Sequence, residues 1–192
     1  EIAQCLVGSE MCIRDRGKTL GVIGLGAIGV MVANTAVDLG MDVIGYDPYL
    51  SVAGALHLDN RVHTADLDTL VKSADFITVH VPLTPDTEKM FNADTFAKMK
   101  DGSVLINNSR GELVDTDAVL AAVASGKLER YITDFPSDAL IGVPNIICVP
   151  HLGASTPEAE DNCAQMAAKE LVDYIENGNI THSVNFPDVS AP

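Results

Sequence analysis

The sequence predicts an α/β fold, a doubly wound parallel sheet with helices on both faces, and two observations predict it. Short, near-continuous apolar runs alternate along the chain with segments of helical period, as strands buried on both faces require. The glycine-rich run Gly24-Leu25-Gly26-Ala27-Ile28-Gly29 then joins the first apolar run to the first helical segment, the junction expected of a strand-turn-helix unit in a parallel sheet.

Taken in order, the strands are expected at residues 20–23, Asp42–Tyr46, Phe76–Val79, 104–106, 131–133 and 146–149. Between them the helical candidates are 28–39, Leu67–Ser73, 93–100, 116–125 and 157–176, most with an acid or hydroxyl at the start and a Gly near the end. Ligands of such sheets lie beyond the carboxyl ends of the strands. The chemistry is therefore expected in the segments leaving those ends, at 24–29, 47–49, 80–84, 107–111, 134–138 and 151–156. Residues 1–16 have no clear period and stop where the pattern begins at Gly17. They read as an artefactual leader, with a short native helix capping the sheet as the alternative.

Composition narrows the function. The 192 residues, 47% apolar, suffice for one buried core, and no apolar run approaches the ~20 residues of a membrane span. With 12 basic and 27 acidic residues the net charge is −15, which repels nucleic acid and anionic membrane, so an anionic substrate must be captured by a local positive site. Cys5, Cys12, Cys148 and Cys163 form no C-x-x-C pair, so no metal site is expected and reduced thiols in a cytoplasmic protein are.

The glycine run has the outline of a dinucleotide site. Gly24 permits the tight turn, Gly26 lets the backbone approach a diphosphate, and Gly29 lets the helix pack close to the strand. The diphosphate would rest on the amides of Ala27 and Ile28, at the positive end of the helix dipole. Asp47, 18 positions beyond Gly29, can accept hydrogen bonds from ribose hydroxyls and would repel a 2′-phosphate, which favours NAD over NADP. Arg110, at the end of a strand and before Gly111, can grip a carboxylate through two parallel hydrogen bonds. Among five histidines, His151 follows the last strand and is the one placed for proton transfer, whereas His80 is read as lining the adenosine side.

Together these segments resemble the D-isomer-specific 2-hydroxyacid dehydrogenases over about residues 17–187. The marks are the glycine turn with Asp47, His80-Val81-Pro82-Leu83-Thr84, Asn107-Asn108-Ser109-Arg110-Gly111 with Val114-Asp115, and Pro150-His151-Leu152-Gly153-Ala154-Ser155-Thr156. The tail at 183–187 resembles the segment by which the phosphoglycerate-oxidising branch leaves its nucleotide domain. A runner-up is the NAD-sensing corepressor branch called C-terminal binding proteins.

The resemblance implies a Rossmann-type NAD-binding domain at 17–176, a tail at 177–192, and a catalytic set of Arg110, an acid and His151. Where the family has Asp-x-Phe-x-x-Glu-Pro, this chain reads Asp134-Phe135-Pro136-Ser137-Asp138-Ala139. Aligning on Phe135 puts Asp138 in place of the Glu, to orient His151, while counting from Asp134 puts Ala139 there. Asp134 would meet the nicotinamide amide. Val81, Pro82, Asn108, Ser109, Gly153 and Ala154 complete the implied cofactor contacts, a 2-hydroxy or 2-keto acid is the implied substrate, and the implied assembly is a homodimer through the NAD-binding domain. Because the family's substrate-binding domain is mostly built from residues before the nucleotide domain, the chain reads as a fragment, and the helix at 157–176 is expected to expose an apolar face.

Overall fold

The computed structural model describes residues 17–183 and Phe186. The expected leader at 1–16, with Cys5 and Cys12, lies outside the described residues, as do Val184, Asn185 and Pro187 of the tail. The described residues divide into two compact units, one ending at His151 and the other beginning at Leu152.

Among the described residues the first unit holds seven strands, β1 Thr19–Ile23, β2 Asp42–Tyr46, β3 His63–Thr64, β4 Phe76–Val79, β5 Ser103–Asn107, β6 Leu128–Thr133 and β7 Ile146–Cys148. All pair in parallel, in the order β3-β2-β1-β4-β5-β6-β7. The strand order reverses beside β1, where Leu20 pairs with Val43 on one side and Phe76 on the other. That reversal opens a crevice at the carboxyl end of β1, directly at the glycine turn. Neighbouring residues of β1 feed opposite faces. Val22 packs with Leu25, Val30, Ala33 and Val43, whereas Ile23 packs with Leu70, Ile77, Phe91 and Leu105.

Five helices among the described residues belong to this unit: α1 Ala27–Asp38, α2 Val52–His57, α3 Leu67–Ser73, α4 Ala93–Lys98 and α5 Thr116–Ala124. Asp66, Asn92 and Asp115 cap α3, α4 and α5 by accepting amide hydrogens of the first turn. Helix α1 differs: its N-cap is Gly26, with no side-chain cap. Its first amides are left for something else.

The expected sheet is present, with local differences. Strand β6 begins at Leu128 rather than 131, because a register shift beside Ser103 leaves Glu129 as an extra residue and exposes it together with Arg130, hiding the apolar pattern. Strand β3 and helix α2 were not expected. The strand is two exposed residues at the sheet edge, and α2 keeps Val52 and Leu56 exposed, so neither carries a buried period. Residues 111–113 form a single 3₁₀ turn ahead of the helix that starts at Thr116.

The second unit contains α6, Pro157–Asn177, capped by Thr156 and ended by Gly178 at φ +73°. None of its residues is buried, and Met166, Leu171, Val172, Tyr174 and Ile175 are exposed. Among the described residues, no helix is long and apolar enough to cross a membrane, and no cluster of side chains suits a metal ion.

Candidate active site

The glycine turn takes its shape from three contacts. Gly24 sits at φ +92°, and a Cβ there would lie 2.6 Å from the His80 carbonyl oxygen and 2.9 Å from Val81 Cγ1. Gly29 is tighter still, since a Cβ would fall 1.9 Å from the Gly24 carbonyl oxygen. Gly26 is the opposite case: nothing lies within 4 Å of the position its Cβ would take. Gly26, Ala27 and Ile28 are all exposed, and the first backbone bond of α1 runs from the Val30 amide to the Gly26 carbonyl at 2.9 Å. The Ala27 and Ile28 amides thus face open space at the positive end of a helix, a cradle that fits a diphosphate and that a side chain at 26 would fill.

Asp47 leaves β2 beside this cradle. One carboxylate oxygen accepts from the Leu25 amide and the other from the Tyr49 amide, each at 2.8 Å. The acid expected to read a ribose therefore also ties the glycine turn to the loop after β2, and each oxygen keeps a second lone pair for a hydroxyl. Across the crevice, the His80 ring is half-buried with Nε2 3.0 Å from the Thr78 hydroxyl, and burial lowers its pKa. Its backbone amide donates to the Ile23 carbonyl at 2.7 Å, which fixes the end of β4 against β1.

The chemistry-bearing residues gather at the ends of β5, β6 and β7. Asn107, fully buried at the end of β5, accepts from the Ser109 amide at 3.2 Å and donates to the Arg110 carbonyl at 2.8 Å. Ser109 donates to the Val79 carbonyl at 2.7 Å. This frame presents Arg110 at the surface, where Nη1 donates to the Ser109 carbonyl and Cζ stands 5.5 Å from the centre of the Phe135 ring. Among the described residues, every Lys or Arg except Lys18, Arg110 and Lys169 is ion-paired with a carboxylate. In a chain this acidic, an unpaired guanidinium in the site suits an anionic ligand. The same Phe135 ring packs against His151, with ring centres 4.3 Å apart.

His151 Nδ1 lies 2.7 Å from Asp134 Oδ2. This corrects the expected pairing with Asp138, whose side chain is exposed and makes no hydrogen bond or ion pair among the described residues. The backbone turns sharply after β6, where the Phe135 amide donates to Thr133 Oγ1 at 3.1 Å, and this brings the first acid rather than the second to the imidazole. Beside the cluster a cleft of about 610 Å³ is lined by Asp134, Phe135, Tyr131, Asp115 and Lys89 among others. Hydrogen bonding from the Ala118 amide and then Lys89 holds the Asp115 carboxyl below its usual range.

The structure thus assembles Arg110, Asp134 and His151 at one place, with Gly24, Gly26, Ala27, Ile28, Gly29, Asp47, His80 and Val81 around the crevice. Pro82 is exposed and its carbonyl accepts from Thr87, and Asn108 is exposed. Gly153 and Ala154 fall in the second unit, both exposed. Sequence reasoning missed Phe135 as a site residue and, although it marked the segment 107–111, gave Asn107 no role of its own. An Asn ending an apolar strand was the available signal for Asn107, because a buried amide must be satisfied by its neighbours.

With this geometry in place, similarity to known proteins becomes informative. Residues 8–153 match the family described as D-isomer specific 2-hydroxyacid dehydrogenase, NAD binding domain. The chain belongs to this family. It is 39% identical over 198 residues to D-3-phosphoglycerate dehydrogenase 2 of Saccharomyces cerevisiae, covering 93% of this chain and 41% of that protein. It is 41% identical over 185 residues to human D-3-phosphoglycerate dehydrogenase, covering 93% of this chain and 34% of that one. Among solved structures, the NAD-complexed D-isomer specific 2-hydroxyacid dehydrogenase of Lactobacillus delbrueckii ssp. bulgaricus aligns with a TM-score of 0.75 at 29% identity, over 86% of this chain and 55% of that one. A glyoxylate reductase from Paecilomyes thermophila aligns with a TM-score of 0.79 at 29% identity, over 89% and 53%. The chain therefore spans less than half the length of these curated relatives, and what it shares with them includes the NAD-binding domain.

Proposed function

We propose that this chain is the cofactor-binding part of an NAD-dependent enzyme that oxidises D-3-phosphoglycerate, or a related D-2-hydroxy acid, to the 2-keto acid, the step that opens serine biosynthesis. The observation that carries it is the meeting of an unpaired guanidinium and an imidazole on one aromatic ring, Arg110 and His151 on Phe135, along the same carboxyl edge of the sheet that carries the cradle at Gly26.

The amides of Ala27 and Ile28, with Asp47, would hold the diphosphate and ribose, and bound NAD⁺ supplies the hydride acceptor. Arg110 grips the substrate carboxylate and polarises the carbonyl as it forms. His151 accepts the proton of the 2-hydroxyl while the oxygen lone pair left behind becomes the second bond of the carbonyl. In reverse, protonated His151 returns that proton. Asn107 and Ser109 take no part in the chemistry and hold the backbone on which Arg110 is presented. A homodimer through this domain and a cytoplasmic location belong to the same reading and rest on the family resemblance.

The test is NADH formation from D-3-phosphoglycerate at alkaline pH, by this chain alone and by the chain joined to a family-type substrate-binding part. The chain alone binds NADH but turns over poorly, since positioning the substrate in a dry cleft supplies roughly 7–11 kcal/mol of barrier reduction. In the joined protein, His151→Gln lowers turnover by about 10²–10⁴ with little change in NADH affinity. A His151→Gln enzyme of normal turnover refutes the mechanism.

A further inference from the structure

Asp134 Oδ2 is the acceptor in the 2.7 Å contact with His151, because a carboxylate carries no hydrogen to give. The hydrogen of that bond therefore sits on Nδ1. In the neutral ring the lone pair is then on Nε2.

Three further features make this contact a durable one. The Asp134 side chain is only 15% exposed against 54% for His151, so the acid is the sheltered partner and the base the accessible one. The second carboxylate oxygen, Oδ1, is buried and meets no donor among the described residues, of which His151 is the one group that the Asp134 carboxylate holds. Turning the imidazole away would leave a sheltered carboxylate with no partner at all, an outcome that costs more than an ordinary lost hydrogen bond. Finally, the Phe135 ring lies tilted at 42° against the imidazole and restricts its swing, while Arg110 spends Nη1 on the Ser109 carbonyl.

We propose that Asp134, and not Asp138, is the positioning residue of His151, fixing the Nδ1–H tautomer and so making Nε2 the nitrogen that receives the substrate's hydroxyl proton. Only the last clause rests on the proposed function. The tautomer itself is a property of this chain and is measured without substrate, cofactor or turnover.

The experiment is ¹⁵N NMR of the chain labelled at histidine, at a pH above imidazole titration, with the His151 signals assigned by their absence in His151→Gln. In the unsubstituted chain His151 shows a protonated Nδ1 and a bare Nε2. Asp134→Ala moves the ratio of Nδ1–H to Nε2–H by about tenfold or more toward Nε2–H, the scale of a charge-assisted hydrogen bond, whereas Asp138→Ala leaves it unchanged. A predominantly Nε2–H ring in the unsubstituted chain overturns the proposal, and so does a ratio that moves with Asp138→Ala and not with Asp134→Ala. If Asp134→Ala does not fold, the unsubstituted chain and Asp138→Ala decide the matter. An Nδ1–H ring together with a fully active His151→Gln enzyme would sink the function and leave the tautomer assignment standing.

Discussion

Two glycines three residues apart in one turn should fail in opposite ways. At Gly26 a Cβ meets nothing within 4 Å, and φ −69° suits any residue, so Gly26→Val leaves the folded chain within about 1 kcal/mol of its original stability. The branched side chain instead occupies the space in front of the Ala27 and Ile28 amides. A diphosphate that loses two charge-assisted hydrogen bonds, at about 1.5–3 kcal/mol each, binds roughly 10²–10⁴ less tightly. At Gly29 the added Cβ stands 1.9 Å from the Gly24 carbonyl oxygen, which is backbone and cannot swing aside. Overpacking there costs about 3 kcal/mol, offset by about 1 kcal/mol of helix propensity, so Gly29→Ala loses about 2 kcal/mol of stability. Urea unfolding and NADH fluorescence titration, run on both variants, separate the two effects. Normal NADH binding by Gly26→Val would show the turn to be merely structural, and an undiminished unfolding midpoint for Gly29→Ala would refute the packing argument.

Two further outcomes are expected. The chain binds NADH in preference to NADPH, and Asp47→Ala both narrows that preference and lowers stability by about 1–2 kcal/mol through the lost Leu25 and Tyr49 bonds; fluorescence titration with each cofactor checks it, and equal or tighter NADPH binding by the unsubstituted chain counts against Asp47. Burial holds His80 below its ordinary 6.5, so the unfolded chain takes up this proton first and stability, full above 6.5, falls as pH drops through the window beneath it. His80→Gln should reduce the difference between urea midpoints at pH about 7.5 and about 5.5; an unaltered difference removes His80 as its source.

Much of the sheet was legible because burial on both faces writes itself as uninterrupted apolar residues. β2, β4 and α3 fall at the residues expected for them. Where the period is not enforced by burial it vanishes, as in the exposed β3 and in the bulged start of β6 at Glu129 and Arg130. The site was legible in the same measure. Arg110 and His151 follow strand ends, and a strand end is a place that the pattern marks. The acid beside His151 depended on the path of the three residues between Asp134 and Asp138, and spacing says nothing of how such a loop turns. The Thr133 hydroxyl that bends the chain at Phe135 decides which acid arrives. Phe135 itself was used only to align the motif, because its contacts with Arg110 and His151 join three different strand ends.

The double engagement of Asp47 has a bearing on how such a chain could change its cofactor. Any lineage, natural or engineered, that moves toward a 2′-phosphorylated nucleotide must first discard the carboxylate after β2. Here the same step strips the acceptor from the Leu25 amide, inside the turn that carries the diphosphate. The first mutation of the path therefore weakens the binding of both nucleotides before it can favour either. A passable route begins with a stabilising substitution, or replaces the carboxylate by a neutral acceptor such as Ser at 47. The order of changes, and not merely their number, then governs whether the switch is reachable, which makes the preference for the unphosphorylated cofactor an entrenched trait of this chain.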